Sequence, residues 1–397
     1  MKENVILEKL YKDAGKLNIK TIPNDIQKDI DVMIKNMECN KSLISAIITS
    51  LIKKISSPKQ DVRLHRVDFA NGYSARVLDT KVTTPFFKNN FPKYANKESA
   101  FLTLATREQI KWTKEAGQNL KIRDKELKSS FLNIFEQIEV RGTNPEQYLK
   151  YLLFRLIKLS KIDGALFKST KSRILDNNKI LNINLITDML SEHFECRLSS
   201  RLPVIAIYSI YEILLNRFER YKDKWLVPLK VHTSSDKHSF GDIEIYTKTK
   251  LPFEIVEIKH NIPIDKYLIL DIVRKIKDTK IDRYYMLTTF RNSFKNVSEE
   301  REVFEIILKF KRSQNIDIIV NGIITTLKYY LRFIDSYNDF LKSYTKNLIS
   351  DAENSTEVKG FHLTEWNNIR KKYAEGAGMK SQESITNKAD SIMQECK

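Results

Sequence analysis

Cysteine is scarce: Cys39, Cys196 and Cys396 are the only three in 397 residues, odd in number and far apart. Neither a disulfide framework nor a zinc-ligand spacing can be built from them, which fits a reducing compartment. The six histidines are equally scattered and form no metal cluster in sequence. Long apolar runs are missing too: the longest, Leu43–Ile52, is too short and too polar to cross a bilayer. Met1–Asp13 is charged and has no signal-peptide core. Internal repeats and low-complexity tracts are absent. The expectation is a soluble, cytoplasmic protein with no membrane association.

Positive charge, by contrast, is abundant. Lys and Arg number 68 against 50 Asp and Glu, a formal net charge of +18 spread along the chain and not confined to one tail. Such a field raises affinity and association rate toward a polyphosphate. Codon bias in an AT-rich genome would also raise lysine, so it accounts for part of the excess. Length allows two or three domains. Residues 1–58 read as a helical N-terminal segment, 59–140 as a basic region with interleaved aromatics, and 141–200 as a helical connector. Residues 201–349 read as an αβ core ending in a long helix, and 350–397 as a polar tail, disordered from about Ala374.

The most specific signal lies in that core. Gly241-Asp242-Ile243-Glu244-Ile245-Tyr246 and Phe253-Glu254-Ile255-Val256-Glu257-Ile258-Lys259-His260 read as two strands joined by a turn at Lys250-Leu251-Pro252. Folded into an antiparallel hairpin about Thr249–Lys250, Asp242 falls opposite Glu257, at a Cβ separation of about 5 Å. Lys259, two residues beyond Glu257, projects from the same face. Two carboxylates and an ammonium on one face are the parts of a magnesium-dependent phosphodiester hydrolase. In a chain this rich in lysine and glutamate the same spacing arises by chance, so the neighbourhood must support it.

The neighbourhood predicts an ordered core. Pro203 opens a helix carrying Ile207, Tyr208, Tyr211, Leu214, Leu215 and Phe218. Trp225–His232 is a candidate first strand, restricted by Pro228. After the hairpin, a helix is expected over Pro263–Lys277, a strand over Arg283–Phe290, and a helix over Ser298–Arg312 with Ser298 as its cap. A strand over Asn315–Val320 and one long helix over Gly322–Ile349 complete it. The fold class is α+β to α/β: a mixed sheet flanked by helices, after a largely helical N-terminal half. On the long helix, Ile323, Leu327, Tyr330, Ile334, Tyr337, Leu341 and Tyr344 form a heptad seam. It could pair with its copy in a dimer, but tyrosines are poor seam residues, which favours packing on its own core.

This order of elements resembles the catalytic core of the PD-(D/E)xK nuclease superfamily, with Asp242, Glu257 and Lys259 in the motif positions and Gly241-Asp242 in place of Pro-Asp. Glu212 matches the glutamate that many of these cores contribute from the upstream helix, and a solvated helix glutamate explains it equally well. A wider likeness covers residues 60–345. Asn71-Gly72-Tyr73-Ser74-Ala75-Arg76-Val77-Leu78-Asp79-Thr80-Lys81-Val82-Thr83-Thr84-Pro85-Phe86-Phe87, followed by Lys97-Glu98-Ser99-Ala100 and a basic stretch, is similar to the SacI-type family of Type II restriction endonucleases.

The resemblance implies Mg²⁺-dependent, sequence-specific hydrolysis of double-stranded DNA. It implies Mg²⁺ ligands Asp242, Glu257 and the carbonyl of Ile258, a homodimer, and pairing with a protective DNA methyltransferase. Base reading needs donors that reach base edges. The region around Arg63, Arg66, Arg76, Lys81, Arg107, Lys111 and Arg123, interleaved with Tyr73, Thr83, Thr84 and Trp112, offers them. Two rival readings stand beside this one: a structure-specific repair or recombination nuclease of the same fold, and a basic DNA-binding protein without catalysis.

Overall fold

The computed structural model describes residues 2–103, 105–172, 181–229 and 239–374; residues 375–397, and the end of the strand expected over Trp225–His232, lie outside them, whereas residues 350–374 of the expected polar tail are largely helical and bury Val358, Leu363, Trp366 and Ile369 in the core. The chain divides into two compact units, Met1–Ala165 with Glu353–Thr356, and Leu166–Ala352 with Glu357–Lys397.

The first unit is helical. Its helices are α1 (Lys2–Ala14), α2 (Asn24–Lys35), α3 (Met37–Ser56), α4 (Ala75–Leu78), α5 (Thr84–Asn90), α6 (Lys125–Glu139) and α7 (Pro145–Ser172), the last running on into the second unit. A π-helical stretch, Asp79–Thr83, joins α4 to α5, and a short 3₁₀ turn covers Ala100–Leu102. Apolar residues at helical spacing turn inward, and α3 is buried along most of its length. Trp112 is fully buried against Phe131 and Phe135, at ring-centroid distances of 5.1 and 4.9 Å. Rings of this size contribute more to a core than any aliphatic side chain, so the 59–140 stretch is anchored from within.

The second unit is built on a mixed five-stranded sheet in the order β1 (Lys224–Leu226), β2 (Ile243–Thr247), β3 (Pro252–Lys259), β4 (Arg283–Thr288) and β5 (Asp317–Gly322). β1, β2 and β3 pair antiparallel, while β3, β4 and β5 are parallel. Parallel neighbours need crossovers, supplied by α10 (Lys266–Ile276) and α11 (Val297–Gln314). Ile269, Ile272 and Ile276 of α10 and Val303, Ile307 and Phe310 of α11 pack on one face of the sheet, against Ile255, Tyr284 and Met286. Each such side chain contributes about 1.5–3 kcal/mol on burial. The other face carries Ile243, Ile245, Val256, Ile258 and Leu287. It is covered by α8 (Ile183–Phe194), α9 (Arg201–Leu214), α12 (Ile323–Leu331) and α13 (Tyr337–Asn354). A last helical stretch spans residues 360–374.

Several expected boundaries move. The single long helix over Gly322–Ile349 is two helices, broken at residues 332–336. Ser336 restarts the chain as a cap, its hydroxyl accepting the Asp339 N–H at 3.3 Å. The heptad seam does not lie open to a second copy: Ile323, Leu327, Leu341 and Tyr344 are buried in this unit's own core. α11 is capped by Asn296, not Ser298, with the Glu299 N–H donating to its side chain at 2.9 Å. α10 starts behind Asp265, whose carboxylate takes the Leu268 N–H at 2.9 Å. α9 begins at Arg201, so Pro203 sits within its first turn, and Phe218 lies beyond the helix.

Candidate active site

Asp242 stands just before β2, in a bend; the β2–β3 register pairs Ile243 with Val256 and Glu244 with Ile255, and the expected pairing of Asp242 with Glu257 is not part of it. The Asp242 N–H donates to the Val256 carbonyl at 2.9 Å, and the Ile258 N–H donates to Asp242 Oδ2 at 2.8 Å. One carboxylate oxygen is thereby fixed by main chain. Side chains alternate along a strand, so Glu244 on β2 and Glu257 and Lys259 on β3 share the sheet face of Ile255, the one that α10 and α11 cover. Lys259 Nζ donates to Glu257 Oε1 at 2.7 Å, with the two side chains 26% and 19% exposed. Asp242 feels the charges of Glu257 and Lys259, so the three residues of the expected motif lie near one another.

Position 241 admits only glycine without a shift. A Cβ there would lie 2.6 Å from Ile255 Cγ2 and 2.8 Å from the Val256 carbonyl oxygen, the same carbonyl that binds the Asp242 N–H. A Gly241→Ala variant is expected to push Asp242 out of place, at a cost of about 1–3 kcal/mol in stability. A thermal melt together with a cleavage assay checks this; wild-type values in both would show the turn to be more forgiving than its geometry. Glu244 braces the same turn. Its Oε1 accepts the N–H of Phe240 at 2.7 Å, the hydroxyl of Ser239 at 2.9 Å and the N–H of Gly241 at 3.3 Å. Tyr284 adds a hydrogen bond to the Phe240 carbonyl at 2.8 Å.

Four acidic residues lie on β2, on β3 or, in the case of Asp242, just before β2, and their partners set them apart. Glu254, fully buried, accepts from Tyr211 at 2.6 Å, Tyr221 at 3.1 Å and Arg220 at 3.0 Å. Glu244 is similarly occupied by the turn. Among the described residues Asp242 Oδ1 takes no donor and the Glu257 carboxylate bonds only Lys259. Burial, and then the charge of Glu257, push the Asp242 carboxyl up to about 6. The Ile258 N–H, Lys259 and Arg201 oppose that rise. Two neighbouring carboxylates with one ammonium, bonded to Glu257, carry a surplus of negative charge that a cation would relieve.

Arg201 and His260 complete the surroundings, and sequence reasoning missed both. Arg201, at the start of α9, is held by Asp351 at 2.8 Å with both side chains almost fully buried. His260 follows β3, with Nε2 2.9 Å from Ser199 Oγ and Nδ1 2.9 Å from Thr289 Oγ1; burial lowers its pKa. The hairpin register would have placed Glu244 on the face of Glu257 and Lys259; for Arg201 no sequence signal exists. Glu212 is engaged elsewhere. Its carboxylate accepts from Ser343 at 2.6 Å and Asn347 at 2.7 Å, both on α13. It lies eleven residues beyond Arg201, about 16 Å along the helix axis.

For a metal, no group of three or more His, Cys, Asp or Glu side chains among the described residues is placed to form a cage. The donors at hand are the two carboxylates and the carbonyl of Ile258, whose main chain faces β2 as its N–H shows. An all-oxygen set of this size fits a hard cation that keeps much of its own water shell.

The residues expected to touch DNA from the first unit separate into two groups. Arg63 grips Asp61 with Nε at 3.0 Å and Nη2 at 2.8 Å. Arg66 binds Asp68 at 2.6 Å and the Arg107 carbonyl at 2.7 Å. Thr83 and Thr84 are buried: Thr83 accepts from Thr49 at 2.8 Å, and Thr84 donates to the Glu98 carbonyl at 2.8 Å. Tyr73 and Trp112 are core residues. Arg76, Lys81, Arg107, Lys111 and Arg123 are exposed.

Compared with known proteins, the chain matches no family model and no curated protein.

Proposed function

We propose that the protein is a Mg²⁺-dependent endonuclease that hydrolyses phosphodiester bonds of double-stranded DNA, with a core of PD-(D/E)xK type. The observation that carries this reading is the proximity of Asp242, Glu257 and Lys259 at the open end of the β2–β3 hairpin. Asp242, Glu257 and the Ile258 carbonyl would hold the ion. When bound, Mg²⁺ supplies polarisation of the scissile phosphate and a water of lowered pKa. Lys259, anchored on Glu257, would orient the attacking water or neutralise the phosphate. Glu212, bonded to α13, has a structural role in this scheme.

The likeness to the SacI-type family extends the reading to a Type II restriction endonuclease, acting as a homodimer and paired with a cognate DNA methyltransferase. Palindromic cutting of both strands calls for two sites related by a two-fold axis. Digestion of a phage genome by the purified chain, followed by sequencing of the ends, tests it. Discrete fragments with one shared end sequence are the expected result. Cleavage confined to branched or damaged DNA would instead mark a repair nuclease. Cutting is expected to need Mg²⁺, to accept Mn²⁺, to stop in EDTA and to ignore zinc. Robust cutting in EDTA would remove the metal from the scheme.

A further inference from the structure

The first unit carries a basic surface whose shape is more specific than its charge. Two concavities of about 270 Å³ each adjoin there, sharing Arg76 and Leu102. The first adds Arg107 and Phe101, the second Lys88 and Thr80. Arg76, Arg107 and Lys88 are exposed, and none of their side chains has a hydrogen-bond or ion-pair partner among the described residues. Arg66 also lines the first concavity, but its guanidinium is held by Asp68 and the Arg107 carbonyl. It neutralises Asp68 and fixes the loop that presents Arg107. One carboxylate, Glu98, faces the second concavity.

A buried acid holds the wall between them. Asp79 is wholly buried and accepts from Ser99 Oγ at 2.7 Å, the Ala100 N–H at 2.8 Å and Ser45 Oγ at 3.0 Å. Ser99 in turn receives the Phe101 N–H at 3.2 Å. Asp79 lies three residues after Arg76, where α4 passes into the π-helical stretch. The same carboxylate therefore fixes the turn that carries Arg76 and the turn that carries Phe101 and Leu102. A rigid wall beneath free cations is the arrangement of a preorganised anion site, in which the ordering cost is met on folding.

We propose that these concavities form a track for one DNA strand, taking two consecutive phosphates on either side of Arg76. Arg107 grips the first and Lys88 the second, while Arg76 contacts both. Each hollow has room for a phosphate and part of its sugar and none for a duplex, so the contact is to the protruding backbone. Guanidinium groups suit it because their planar donors match phosphate oxygens in pairs. Asp79 is the positioning residue. The track rests on the DNA reading of the preceding section and deepens it: this surface positions the duplex and does not read its bases.

The test is equilibrium binding of the full chain to a short duplex in Ca²⁺ at several salt concentrations. Arg107→Ala and Lys88→Ala are each expected to flatten the slope of log affinity against log salt by about one ion, for every sequence alike. Arg76→Ala is expected to flatten it more, with Arg76→Lys recovering part. Glu98→Gln should tighten binding at low salt, an effect that a loss of structure would not give. Wild-type slopes in all three alanine variants, with DNA still bound and cut by the parent chain, would overturn the track and leave the nuclease reading intact. A parent chain that binds no DNA would overturn both.

Discussion

Replacing Glu257 or Lys259 by alanine is expected to lower the rate of DNA cleavage by at least about 100-fold, roughly 2.7 kcal/mol of transition-state stabilisation. The geometry explains why both should matter. Glu257 and Lys259 are joined at 2.7 Å, so loss of either leaves the other without its partner. In Glu257→Ala the ammonium loses its anchor and Asp242 loses its neighbouring carboxylate. In Lys259→Ala the negative charge of the pair is uncompensated where a phosphate must approach. DNA affinity measured in Ca²⁺ is expected to survive, since phosphate gripping and bond cleavage use different groups. Cleavage within about tenfold of the parent rate in either variant would remove these residues from the chemistry.

Acidification is expected to destabilise the second unit through His193. This side chain is wholly buried, stacked on Trp366 with ring centroids 5.2 Å apart, and fully bonded in its neutral form. Nε2 lies 2.9 Å from the His362 carbonyl and Nδ1 2.9 Å from the Tyr344 hydroxyl. The carbonyl can only accept, so Nε2 carries the proton and Nδ1 receives the tyrosine's. A second proton would need that hydroxyl to reverse. Burial accordingly lowers the pKa to about 3 from an ordinary 6.5. The unfolded chain binds more protons than the folded one between those values. The stability from neutral His193 is complete above pH 6.5 and falls away as pH drops toward 3, by about 5 kcal/mol at most. Urea midpoints at pH 7.5, 5.5 and 4 check this. A His193→Gln variant, less stable at neutral pH, should lose less on acidification; an equal loss would assign the acid sensitivity elsewhere.

Part of the candidate site was legible from residue alternation. Once two strands and a turn are recognised, the register from Ile243 to Ile245 follows, and with it Glu257 and Lys259 on one face; the bend at Asp242 does not. Gly241 could be seen as a departure from Pro-Asp, but its cause is tertiary, a collision with Ile255 and Val256 that only the folded hairpin reveals. Helix interiors were readable from apolar periodicity and helix ends were not. The break at residues 332–336 was open to sequence reasoning, because Ser336 and Asp339 have the spacing of a capping box. The heptad pattern across it concealed the break. Glu212 shows the limit of helix position as a guide: its height along α9 and its partners on α13 are set by packing.

The basic region shows another limit. Arg63, Arg66, Arg76 and Arg107 are alike in sequence, yet two are held by neighbouring aspartates and two are not. The aspartates stand two residues from their arginines, Asp61 before Arg63 and Asp68 after Arg66. That local pairing was a usable signal. The burial of Thr83 and Thr84 was not, since it depends on Asp79 and the turn at Ser99, twenty residues further on.

Single-turnover cleavage of pre-bound DNA, started by adding Mg²⁺, tests the central claim most directly, with the parent chain and Asp242→Asn compared side by side. The carboxylate that the Ile258 N–H fixes is expected to be indispensable. The parent complex should yield cut product in one exponential phase, and the Asn variant, which keeps the size and one acceptor oxygen, should bind the same DNA and yield none. Equal cutting by the two, or an intact duplex in the parent complex with both Mg²⁺ and Mn²⁺, would contradict the account.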